Sequence, residues 1–482
     1  QVRDADGGRY VFAVRHIPGR PALEVLAEAL PGLIAGISFG KTMRWLPSPQ
    51  AGGSSPSVSF SRPIRWLVCL LGDRVVPFAY AGVVSGRISR GPRATGATPL
   101  EIPDAGSYLQ AMSSCGVLVD IDERRAAIRQ QVEHLAAEIG GSVPDDAALL
   151  EEVTNLVEQP TALRGSFDVT FLTLPEPVLI TVMKKHQRYF PVLGAQGRLM
   201  PYFIAVRNGG REHLEVVQHG NEQVLRARYA DAAYFYKADT AQPLEAFLPR
   251  LDTLLFQEQL GSMLDKTHRL EQLAPQIGAE LGLPERELQT VRRAARLCKA
   301  DLATQMVVEL TSLQGIMGRE YARLSGEDEA VAQAIFEHYL PRFANDQLPA
   351  SRPGLVVGLA NRLDSLAGLF VLGLAPSGSA DPYGLRREAL GLVTVLMETG
   401  TDYSVARGLA QAAQLLPTIE PGQLAENRDQ ALATCLDFIK RRLEGILRER
   451  GLRHDVVQAV LAEQGDNPAR SLRAAQALQR WT

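Results

Sequence analysis

From about residue 246 onward, apolar side chains recur at helical spacing, and this is the tightest constraint on what the chain can fold into. The pattern breaks only at Pro341, at Pro349-Ala350-Ser351-Arg352-Pro353, at Pro376-Ser377-Gly378-Ser379 and between Pro417 and Pro421. A half-chain built this way has to bury helix against helix. The residues before 246 read differently. Tyr10-Val11-Phe12-Ala13-Val14 has the make-up of a short strand, and 22–33 has helical spacing. An apolar strand over 64–71 ends at Gly72-Asp73, with 75–84 as its hairpin partner. Gly52-Gly53-Ser54-Ser55-Pro56 is an exposed loop, 122–139 a strongly charged helix, and 175–182 and 201–206 strand or turn elements. The expected architecture is multidomain α+β. Mixed α/β regions occupy 1–100 and 101–245, and helical regions occupy 246–400 and 401–482.

A length of 482 residues sets a prior of three or four domains, and a hydrophobic content of 46% is enough for ordinary cores. Net charge is −3, so a polyanion partner has to be held by local basic patches. Cys69, Cys115, Cys298 and Cys435 lie far apart in apolar settings, which indicates neither a disulfide framework nor a zinc site and favours a reducing compartment. With no signal peptide and no apolar run of about 18 residues, no membrane span is expected and the cytoplasm is the expected location. The chain begins at Gln1 without an initiator Met and reads as a trimmed piece.

Motifs for nucleotide chemistry are missing. The sequence has no GxxxxGK[ST] loop, no GxSxG elbow and no HIGH-like or KMSKS-like segment. Basic clusters interleaved with aromatics are present instead, the pattern that suits phosphates and unpaired bases. One runs over 220–239, where Asn221 is placed to cap a helix starting near Val224. Arg226 and Arg228 fall about 200° apart on such a helix, so one can reach a phosphate while the other pairs with Glu222 or Asp231. A packed amphipathic helix with core Tyr and Phe explains the same residues. The second cluster is Lys184-Lys185-His186-Gln187-Arg188-Tyr189-Phe190-Pro191, and the third places Arg87, Arg90 and Arg93 at every third position. The third fits either an anion-facing turn or a solvated loop. Lys440, Arg441, Arg442 and Arg448 form a basic run that a charged, solvated helix explains.

A further set resembles the metal centre of HD-superfamily phosphohydrolases: His268, then Ala300-Asp301, then His338 and Asp364. The dyad's histidine position is Ala300, which cannot coordinate, so the expectation is a helical HD-like scaffold with a degenerate centre and no metal.

Several blocks taken in order resemble the β subunit of bacterial glycyl-tRNA synthetase. They are 183–191, 220–239, Leu260-Gly261-Ser262 with Asp265-Lys266, Lys299-Ala300-Asp301-Leu302, Met306-Val307 and Leu313-Gln314-Gly315-Ile316-Met317-Gly318. Tyr321-Ala322, Gly326-Glu327, Glu337-His338-Tyr339, Arg362-Leu363-Asp364, Leu366-Ala367-Gly368 and 381–391 continue the series. The basic turn at 85–93 also resembles that family, except that Pro92 stands where a histidine is usual. The resemblance implies a non-catalytic, tRNA-Gly-binding subunit of an ATP-dependent ligase. ATP and Mg would be used by a separate α subunit in an α2β2 assembly, with no cofactor in this chain and neither DNA nor membrane as partner. It implies an N-terminal body-and-tail region, a helical HD-like domain, and the start of a DALR-type anticodon-binding domain, with both ends cut. The residues expected at the RNA are Lys184, Lys185, Arg188, Arg226, Arg228, Arg386, Arg387, Lys440 and Arg441. The alternatives are a metal-dependent HD-type hydrolase and a stand-alone RNA-binding scaffold.

Overall fold

The computed structural model describes residues 2–5, 8–11, 18–45, 58–92, 98–378, 380–418 and 427–481. Phe12, Ala13, Val14, the 52–56 loop and Arg93 lie outside them. The chain divides into two compact units, one formed by 1–167 with 183–225, the other by 168–182 with 226–482.

The first unit carries nearly all the β structure. Its best-developed sheet is antiparallel, with Leu199–Asn208 between Pro160–Ser166 and Phe190–Leu193. The helices Ile121–Ala137 and Ala147–Leu156 belong to the same core, through Ile128, Val132, Leu150 and Val153. Phe203 fills the sheet's other side, stacked on Tyr189 with ring centroids 4.5 Å apart. Gly165 makes room for it, because a Cβ there would lie 2.2 Å from the Phe203 ring. Ahead of this sheet the strands are short. The expected 64–71 strand is broken at Cys69 into Leu67–Val68 and Leu70–Leu71. The second piece does turn back at Gly72-Asp73 onto Arg74–Val75, with Gly72 at φ 61°. The first piece pairs in parallel with Val83–Gly86.

Two local expectations fail for identifiable reasons. Residues 175–182 form the helix Glu176–Thr181, not a strand or turn. Pro175 and Pro177 sit at its start, where a missing N–H costs nothing. The helix expected to begin near Val224 instead runs unbroken over Leu214–Asp239, through Gly220 and Asn221. Asn221 is no cap; its Oδ1 accepts from the Tyr189 hydroxyl at 3.0 Å.

The second unit is the helical one that the spacing predicts. At its centre runs Arg352–Val371, buried from Pro353 onward by the helices Met263–Glu280, Glu285–Leu297, Glu329–Glu337, Leu385–Glu398, Val405–Gln414 and Arg428–Glu449. A helix apolar all round has to be a core helix or a membrane span. Among the described residues this is the one helix long and apolar enough to cross a membrane, and 94% of that window is buried inside the protein. It also carries Arg362 and Asp364, both buried, and these two place the polar groups described next.

Candidate nucleic-acid interface and the buried helical centre

Asp364 is held from two sides. Lys266 and Arg269 lie three positions apart on the Met263–Glu280 helix and so share a face. Lys266 Nζ reaches Oδ2 at 2.8 Å, while Arg269 Nε reaches Oδ1 at 2.5 Å. Burial alone would raise the Asp364 pKa; the two cations outweigh it, and the carboxyl stays below its ordinary range. Arg362 turns its guanidinium onto the carbonyls after the Glu329–Glu337 helix, reaching Leu340 O at 2.8 Å. It thereby satisfies acceptors that helix geometry leaves open.

Around Asp301 the arrangement differs. Its Oδ2 accepts from the backbone N–H of Gly315 at 2.6 Å and of Gly318 at 3.1 Å. Gly318 has no Cβ to obstruct this approach; one placed there would lie 3.0 Å from that oxygen. Burial pushes the Asp301 pKa up to about 6, against the pull of those N–H groups and Lys299. The Lys299 ammonium lies 2.9 Å from His338 Nε2 and 4.1 Å from the centre of the Tyr339 ring. His338 Nδ1 contacts the Ile335 carbonyl at 2.5 Å, which makes Nδ1 the donor and leaves the Nε2 lone pair to accept from Lys299. Burial lowers Lys299 to about 8. It also holds His338 well below its ordinary value, with help from Lys299.

The four positions expected at one degenerate centre differ in how each is met. His268 has an exposed side chain, Ala300 is buried and inert, and Asp364 belongs to Lys266 and Arg269. Among the described residues, no group of three or more His, Cys, Asp or Glu could hold a metal ion. Sequence reading passed over Lys266, Arg269 and Lys299 as structural partners. The i, i+3 spacing of Lys266 and Arg269 on the apolar face of an amphipathic helix was the available signal.

The expected RNA contacts divide by how their charge is met. Lys184 is ion-paired with Asp146, and Arg188, at φ 57°, with Glu152 at 2.8 Å. Lys185 is exposed beside them. Arg226 and Arg228 are both exposed, with Arg226 in the field of Asp168. Glu222 accepts from Ser166 and Gln218 and is not an arginine's partner. Tyr229 is wholly buried while Tyr234 is 66% exposed, so the aromatics of this helix are core in one place and solvent-facing in another.

The remaining group forms a patch on the helical unit. Asp381 caps the Leu385–Glu398 helix, accepting from the N–H of Leu385 at 2.8 Å and of Arg386 at 2.9 Å. That fixes Arg386, whose guanidinium donates to the Gly378 carbonyl at 2.6 Å. On the neighbouring Arg428–Glu449 helix, Arg442 lies over the Phe438 ring at 3.4 Å. Burial lowers the Arg442 pKa, and the fields of Arg386 and Arg441 lower it further, with Asp381 opposing. Arg386 and Arg441 thus stand near Arg442, and the Asp381 carboxylate beside it is taken by backbone N–H groups. Such a surface favours an anion. Arg387 and Lys440 stand apart: Arg387 lines a separate cavity with Phe343 and Glu398, and the Lys440 stem packs toward Gly465.

The family model described as glycyl-tRNA synthetase beta subunit matches residues 1–462. The glycine–tRNA ligase beta subunit of Moorella thermoacetica is 47% identical over 468 residues, covering 97% of this chain and 66% of the relative. That of Desulforamulus reducens is 45% identical with the same coverage. The chloroplastic/mitochondrial glycine–tRNA ligase 2 of Arabidopsis thaliana is 44% identical, with 97% of this chain aligned to 42% of that protein. The chain thus spans about two thirds of the length of the bacterial relatives, 66%.

Proposed function

The chain belongs to the glycyl-tRNA synthetase beta-subunit family, and from that premise we propose that it binds tRNA-Gly and positions it for glycylation by an α subunit. The α subunit would hold the adenylation chemistry with ATP and Mg, in an α2β2 assembly in the cytoplasm. In this reading 246–400 is an HD-like helical domain, 401–482 the start of a DALR-type anticodon-binding domain, and the mixed region before them the body and tail. The observation that carries the proposal is the placing of Arg386 and Arg441 near Arg442, beside an Asp381 carboxylate that accepts from backbone N–H groups. Arginine forks match phosphate oxygens, and phosphate contacts set register and orientation more than they supply bond chemistry. The hydrolase alternative gains nothing from the geometry, since Asp364 is already held by Lys266 and Arg269.

The test is glycine charging of tRNA-Gly by the α subunit with and without the gene-length form of this chain. Charging that needs both chains is the expected result. No charging, with the α subunit shown to form glycyl-adenylate, overturns the proposal.

A further inference from the structure

An open cleft of about 1250 Å³ lies in the β-bearing unit, and of its arginines only Arg90 belongs to a cluster visible in the sequence. Segments distant in sequence build it. Arg62, Arg65 and Trp66 come from the stretch between the strands Val58–Phe60 and Leu67–Val68, and Arg90 from the strand Ile88–Arg90. Tyr108 begins the helix Tyr108–Ser114, and Arg124 lies on Ile121–Ala137.

Four arginines face this space against a single acidic residue, Glu158. Arg124 is fixed by carbonyls alone, donating to Thr154 O at 2.9 Å and to Leu118 O at 2.5 Å, so its charge is oriented but not cancelled. Arg62 and Arg65 are exposed and have no ion-pair or hydrogen-bond partner among the described residues. Trp66 is 42% exposed on the same wall, with Tyr108 half-buried.

We propose that this cleft binds a single-stranded stretch of RNA, its phosphates on Arg62, Arg65, Arg90 and Arg124 and an unpaired base against Trp66. Guanidinium forks fit phosphodiesters, and aromatic faces are useful only to bases outside a duplex. An acidic peptide would satisfy the arginines but leave the Trp66 face unused. The choice of RNA over DNA rests on the tRNA-binding reading; the preference for a single strand does not.

The experiment is fluorescence anisotropy of the whole chain with a labelled RNA of roughly eight nucleotides, within the range of single-strand sites. The same strand annealed to its complement, a poly-glutamate competitor and intact tRNA-Gly complete the set. The single strand is expected to bind, and R62E/R65E to weaken it at least tenfold. W66A is expected to weaken it about fivefold or more, with Trp66→Tyr restoring most of the loss. R386E/R441E should leave the short strand bound while weakening tRNA. If the charge reversal disturbs folding, R62Q/R65Q gives the same comparison with a milder loss. Equal binding of the duplex, equal competition by poly-glutamate, or indifference of the short strand to R62E/R65E would overturn the cleft. Binding of tRNA without the short strand overturns the cleft and leaves the tRNA reading standing; binding of neither overturns both.

Discussion

Within the helical unit two groups of charges obey opposite rules. Lys266, Arg269 and Asp364 are buried and complementary, with each carboxylate oxygen bonded. Arg386, Arg441 and Arg442 lie nearer the surface, share one sign and repel. The first arrangement is what a core demands, because an uncompensated ion there costs several kcal/mol. The second keeps like charges close together, and an anion would relieve it. The difference separates charges that hold the fold from charges left for a partner, which the residue types alone do not distinguish.

The sharpest way to break this contrast is Asp364→Ala. It strands two buried cations and should cost about 3–5 kcal/mol, read from urea unfolding of the helical unit. A loss within about 0.5 kcal/mol, as at an ordinary surface site, would mean that the clamp is not structural.

Lys299 extends the comparison, since it is a buried cation facing a neutral histidine and an aromatic ring in place of an acid. Its pKa falls from 10.5 to about 8 on folding. As pH rises through that window the folded state releases a proton that the unfolded state still binds, so stability rises from about pH 8 toward 10.5. Below about 8 both states are protonated, and the full cost of the buried ammonium is borne. Lys299→Met should remove this rise, and unfolding at a series of alkaline pH values would show whether the two slopes differ. Parallel curves would mean that the ammonium is not desolvated as its surroundings imply.

For the exposed group the expectation is the reverse. Arg441→Ala should leave stability within about 0.5 kcal/mol. It should weaken tRNA binding and flatten the slope of log affinity against log salt by about one. An unchanged slope would return Arg441 to the category of solvated charge.

Much of the helical unit was legible because a period of 3.6 survives without knowledge of neighbours. Where the reading failed, tertiary structure overrode a local signal. Gly220-Asn221 looks like a turn, yet Tyr189 takes up the Asn221 oxygen and the helix passes through. Residues 175–182 read as a strand or turn, yet Pro175 and Pro177 begin a helix there. The basic clusters were visible, but their status was not. Lys266 and Asp364 are 98 positions apart, and only folding shows that they cancel, just as only folding gathers Arg62, Arg65, Arg90 and Arg124 around one cleft.

The smallest expected effect belongs to Arg188, which looked as eligible as Arg441 in the sequence. Its guanidinium already faces Glu152 at 2.8 Å, with both side chains more than two fifths exposed, at 43% and 47%. An ion pair in water contributes about 0–1 kcal/mol, so Arg188→Ala should barely shift unfolding. For tRNA the same pairing matters differently. A paired cation releases little counterion when RNA arrives, and its removal should leave the salt slope nearly unchanged. Lys185→Ala, three residues away and exposed, is the matched control and should lower that slope. If Arg188→Ala flattened the slope as much as Arg441→Ala, ion pairing in the free protein would be a poor guide to which cations meet the RNA, and Glu152 would have to be counted as a group that the RNA displaces.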